Sequence, residues 1–165
     1  MRIIGIDPGY AIVGYAILDF VDDKKTLKKY GTIQTSSKID FPSRMLQIYE
    51  ELNNILSEYN PDFASVEQIF FQNNQKTAID VAQARGIILL CLIKNNVNIF
   101  EFTPLQVKSI VTGFGKATKN QMILMTTEIL NLESPIKPDD AADACALALS
   151  LSSVVNEKLS KSIDA

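Results

Sequence analysis

The chain has 165 residues, 47% of them hydrophobic and 21% charged, and a formal net charge of −3. That balance suits one globular domain with a sizeable core; the acidic excess argues mildly against a nucleic-acid partner but leaves room for a local basic patch. No histidine is present, which excludes Ser-His-Asp and Cys-His catalysis and every His-ligated metal site.

In chain order, Arg2 to Asp7 reads as a buried strand, Ile12 to Phe20 as a second, "VDDKK" as a polar turn and Leu27 to Thr35 as a third strand. The short connections predict consecutive antiparallel hairpins. A helix starts near Pro42 or Ser43, with Met45, Ile48, Leu52, Ile55 and Leu56 at helical spacing, and Pro61 ends it. Phe63 to Glu67 is a short buried strand. A long helix runs from Gln75 to Lys94, and its second half, "GIILLCLI", is apolar on every face; that predicts burial in the core or against another subunit. Asn98 to Phe102 is a fifth strand, Pro104 begins a short helix, "TGFGKATK" is a Gly-rich basic loop, and Asn120 to Asn131 is a further helix. Pro138 fits the first turn of the last helix, which runs to about Val155. The order predicts an α/β layered sheet, antiparallel over three strands and parallel beyond. The longest apolar run is too short to span a bilayer and the N-terminus lacks the layout of a secretory signal, so the expectation is a cytoplasmic protein without a membrane partner. Cys91 and Cys145 lie in apolar helical patterns and read as small core residues.

Acidic residues stand where burial should discourage them. Asp7 ends the first strand, Glu67 ends the fourth, and "KPDDAADACALALS" supplies Asp139, Asp140 and Asp143 at a helix start. Each has an ordinary explanation: an Asp before Pro-Gly is often a turn residue, an Asp at a helix start is often a cap, and Glu67 could pair with a lysine. Asp143 is harder to dismiss among the small apolar neighbours Ala142, Ala144 and Cys145. Parallel, adjacent first and fourth strands bring Asp7 and Glu67 to one edge, where ligands of open sheets gather, and Asp140 and Asp143 share a helix face. Carboxylates converging in one cleft repel unless a cation neutralises them. Mg²⁺ prefers such oxygens, and an all-carboxylate site suits two-metal phosphodiester chemistry.

"IGIDPGYAIVGYAI", "VEQIFFQNN", "AQARG", "QVKSIVTGFGKATKNQM" and "DDAADACALA", in this order over nearly the whole chain, resemble the RuvC family of Holliday-junction resolvases. The resemblance implies a ribonuclease H-like fold: a five-stranded mixed sheet flanked by helices, with residues 1–165 as a single nuclease domain and roughly the last ten residues loose. It implies symmetrical paired nicking of four-way junction DNA by a homodimer, two Mg²⁺ ions per site with Mn²⁺ as a substitute, and partnership with the RuvAB branch-migration complex. It marks Asp7, Glu67, Asp140 and Asp143 as catalytic and metal-binding, and leaves Asp139 as a cap or solvent-facing group. Lys108, Lys116 and Lys119 become DNA contacts, their lysines supplying counter-charge beside glycines that let backbone N–H groups approach phosphates. Phe70, three residues past Glu67, matches the family's aromatic near the junction crossover, where a base could stack on it. Arg85 is read as structural, setting Gly86 for close helix packing. Two other readings stand beside this one: a fragment of an actin-like sugar or acetate kinase or ATPase, which shares the G-I-D-P-G opening, and a catalytically silent junction-binding module.

Overall fold

The computed structural model describes residues 1–68 and 75–163. The elements follow as β1 (Arg2–Asp7), β2 (Ile12–Val21), β3 (Lys24–Gln34), α1 (Phe41–Tyr59), β4 (Phe63–Glu67), α2 (Gln75–Lys94), β5 (Asn98–Phe102), α3 (Pro104–Thr112), α4 (Lys119–Ile129) and α5 (Asp139–Ile163). One mixed sheet has the order β3-β2-β1-β4-β5. β1, β2 and β3 pair antiparallel, while β4 runs parallel to both β1 and β5, as the strand pattern predicts.

The element boundaries depart most from the sequence reading at the start of β3 and at both ends of α5. β3 begins at Lys24, because Asp22 and Asp23 both take positive φ (48° and 63°). Two such residues close a tight hairpin whose twist matches the strands, so Val21 pairs with Lys24 and Phe20 with Lys25. Pro138 stands just before α5 rather than in its first turn: its carbonyl accepts from the N–H groups of Ala141 (3.1 Å) and Ala142 (3.2 Å). α5 also continues past Val155 to Ile163, since no Gly or Pro interrupts that stretch.

β1 is central, and its alternating side chains enter two cores. Ile4 and Ile6 pack with Met45, Ile48 and Leu52 of α1 and Ala84, Ile88 and Cys91 of α2. Ile3 packs on the opposite face with Val107 of α3, Met122 of α4 and the α5 run Ala141 to Leu151. Both cysteines are buried and unpaired, as expected.

α5 lies directly on the β1–β2 backbone. A Cβ on Gly5 would stand 2.0 Å from the carbonyl oxygen of Ala144, and one on Gly14 would stand 2.0 Å from that of Asp140. The obstacle in each case is main chain, which cannot rotate away. Gly5→Ala and Gly14→Ala are each expected to cost about 2 kcal/mol or more, at the upper part of the overpacking range. Urea unfolding checks this as a lowered midpoint at unchanged slope.

Candidate active site

The same alternation that buries Ile4 and Ile6 under α1 and α2 turns Gly5 and Asp7 to the face of Ile3, beneath α5. β4 repeats the pattern. Ala64 and Val66 enter the α1–α2 core while Phe63 packs on the α5 side, so Glu67 shares the face of Asp7. The parallel register Ile3↔Phe63 to Ile6↔Val66 carries the two acids to the same edge, neighbouring strands lying about 4.8 Å apart. Gly14, the partner of Asp7 on β2, is the residue against which Asp140 rests. The start of α5 is thereby held over the end of β1, and Asp143 follows one turn on.

The electrostatics register this convergence. Asp7 is pushed up to about 8, first by burial and then by repulsion from Glu67, Asp143 and Asp140. Glu67 is pushed up to about 7 by burial and by Asp143, against the pull of Lys108. Asp143 is also raised, burial outweighing Lys119. Among the described residues, no three such acids are gathered into a ready-made chelate; the group is a set of mutually repelling hard oxygen donors, the chemistry that suits Mg²⁺ or Mn²⁺.

Beside the acids lies a cavity of ≈ 190 Å³ lined by Glu67 and Asp143, by Lys108 and Lys119, and by apolar side chains including Val107 and Met122. Capping boxes place both lysines. Thr103 Oγ1 accepts from Gln106 N (3.1 Å) and Gln106 Oε1 from Thr103 N (2.8 Å) at the start of α3. Thr118 and Gln121 repeat the exchange at the start of α4 (3.3 and 2.8 Å). The spacing T-x-x-Q is the local signal in the sequence for both helix starts. Lys116 is exposed on the loop between these helices and does not line the cavity. Phe70 lies outside the described residues.

One expectation is corrected and one is extended. Gly86 is exposed and an added Cβ there would meet nothing within 4 Å, so it serves no close packing within the described chain. Arg85 instead pairs with Glu101 and donates from Nε to the carbonyl oxygen of Glu67 (3.2 Å), bracing the strand end that carries the acid. Asp139 is solvent-facing, as expected, and also carries an ion pair. Its carboxylate pairs with Lys119 Nζ at 3.2 Å, and the same ammonium lies 3.5 Å from Asp143. No sequence signal joins residues on different helices in this way.

The raised acids predict a pH dependence. Unfolded, Asp7 and Glu67 release their protons near 3.8 and 4.5; folded, they keep them to about 8 and about 7. Between about pH 4 and 8 the folded state holds more protons, so stability falls as pH rises. In EDTA, the melting temperature followed by circular dichroism should be lower at pH 8 than at pH 6, and Asp7→Asn should raise it at pH 8 and flatten the slope.

Comparison with known proteins follows the same lines. The family model described as crossover junction endodeoxyribonuclease RuvC matches residues 3–151. A protein of that name from Finegoldia magna is 49% identical over 149 residues, covering 90% of this chain and 91% of the relative. Its namesake from Fusobacterium nucleatum is 46% identical over 160 residues, covering 97% and 84%. The structure of Thermus thermophilus RuvC in complex with Holliday junction substrate superposes with a TM-score of 0.90 at 28% identity, covering 96% of each chain. These matches do not favour the kinase, ATPase or silent-module readings. The agreement of sequence and backbone runs through all five strands and the start of α5, and by it the chain belongs to the RuvC family of Holliday-junction resolvases, crossover junction endodeoxyribonucleases with a ribonuclease H-like fold.

Proposed function

We propose that this protein resolves four-way DNA junctions by paired, symmetrical nicks, acting as a cation-dependent homodimer in the cytoplasm. The observation that carries the chemistry is that burial and repulsion from neighbouring carboxylates raise Asp7, Glu67 and Asp143, with Lys108 and Lys119 opposing the shift from beside a shared cavity. Asp7, Glu67, Asp140 and Asp143 are the residues that would hold two divalent cations. Divalent cations held there supply an activated water and charge neutralisation at the leaving oxygen. Lys108 and Lys119 bring positive charge to the cavity, where a scissile phosphate is bound and oriented. Lys116, on the exposed loop, contacts the backbone further out. Phe70 is assigned to the crossover by the family resemblance alone, as is partnership with RuvAB. Mg²⁺ is the natural ion for an all-oxygen donor set, with Mn²⁺ able to replace it.

The homodimer reading rests on α2. Ala84, Ile88, Cys91 and Leu92 are buried within the chain, but Ile79, Leu90 and Ile93 are 63%, 51% and 64% exposed. With the exposed Gly86 they form one stripe along the helix, an apolar face suited to a second copy. The sequence expectation of burial on every side is thus met only in part by the chain itself. Two copies related by a two-fold axis present two sites to the two-fold junction.

On a synthetic mobile four-way junction with Mg²⁺, Asp7→Asn, Glu67→Gln, Asp140→Asn and Asp143→Asn should each lower nicking by at least about 10³-fold while retarded junction bands persist in a gel; loss of a whole cation-binding carboxylate removes several kcal/mol of transition-state stabilisation. A variant that nicks at the wild-type rate is not part of the site. Leu90→Glu should leave the fold intact, convert dimer to monomer in sedimentation at micromolar concentration, and turn paired nicks into single ones. A wild-type protein that sediments as a folded monomer rules out the dimer.

A further inference from the structure

Lys119 stands in an awkward place. It is the first residue of α4, at the end where unpaired N–H groups carry partial positive charge and a cation is unfavourable. Two carboxylates of α5 meet it. Asp139 Oδ2 lies 3.2 Å and Asp143 Oδ2 3.5 Å from its ammonium, and the two acids are four residues apart, on one face of the helix. Their surroundings differ. Asp143 lines the cavity with Glu67, whereas Asp139 is 59% exposed at the side chain and does not line it. One lysine therefore has one partner inside the site and one outside.

We infer that Asp139 is a positioning residue that holds Lys119 at the cavity rim while Asp143 gives its oxygens to a cation, an inference that rests on the reading of the four acids as a cation site. A carboxylate oxygen engaged by a divalent cation is a poor acceptor for an ammonium, and cation and ammonium repel. Lys119 must then compete for Asp143, leave the rim, or move to another acceptor. Asp139 is that acceptor, already in contact, and the transfer needs only side-chain torsions because the Thr118–Gln121 capping box anchors the backbone of α4. Asp139 thus lowers the cost of cation binding and keeps a positive charge where the phosphate arrives.

The test is Mn²⁺ binding to the full chain, read from the loss of the free-ion electron paramagnetic resonance signal well below the melting temperature. Asp139→Asn should weaken binding about three- to fivefold, the upper reach of an exposed pair, and Asp139→Glu should restore it. Lys119→Met should bind Mn²⁺ more tightly than wild type, and adding Asp139→Asn to it should cost much less than the same change in wild type. If Asp139 acts only as a distant negative charge, the order reverses, because Lys119 no longer neutralises it and its removal costs more. An equal or larger loss in the Lys119→Met background, or no loss in the wild type, overturns the role of Asp139 and leaves the four-acid site standing. A wild-type protein that binds no Mn²⁺ overturns the cation site and this inference together.

Discussion

The contact between α5 and the β1–β2 backbone is the constraint on which the site depends. A helix normally stands off a sheet by two layers of side chains, one from each element. Here glycine at 5 and 14 removes one layer, and Ala141, Ala144 and Ala148 thin the other. The helix drops until its carbonyl oxygens touch the strands. At that separation Asp140 and Asp143 are near enough to raise Asp7 by repulsion. A longer acid on a helix at ordinary distance would carry more rotamers and less definite geometry. The positive end of α5 also points at the cluster, which favours anions there.

Bringing these acids together costs stability, as the raised Asp7 and Glu67 show. The surrounding structure keeps them in place, and Lys108 and Lys119 relieve the repulsion only in part. β1 and β4 are buried on both faces, Arg85 and the ladder bond from Gln68 N to Phe102 O (2.8 Å) secure the end of β4, and α5 is sealed by a continuous core. A cation is the most direct relief for such a group. The scaffold therefore holds these acids in a state they would otherwise avoid.

Lysines complete the balance from elements outside the sheet. α3 and α4 begin with the same capping exchange, and each cap orients a helix whose lysine lines the cavity. Lys119 is held above its ordinary range, partial burial working against its charge and Asp139 and Asp143 outweighing it. A net acidic chain can thus gather positive charge at one cavity, so the overall charge of −3 does not describe the local field.

Much of the molecule was legible in one dimension. Short apolar runs between turn residues defined the five strands, helical spacing defined α1, an all-round apolar stretch marked α2, and the strand-end positions of Asp7 and Glu67 marked an edge where acids meet, because apolar patterning and chain punctuation are local properties. The D-A-A-D spacing likewise put Asp140 and Asp143 on one helix face. The tertiary structure alone decided what those faces touch. Gly14 looks like any strand glycine until Asp140 lies on it, Gly86 looks like a packing glycine until its surroundings prove open, and Asp139 looks like a helix cap until Lys119, twenty residues earlier on another helix, is found 3.2 Å away. Sequence determines which face a residue occupies because that follows from neighbours along the chain; which partner meets that face depends on how separate elements pack, and packing is settled by volumes and charges summed over the whole core.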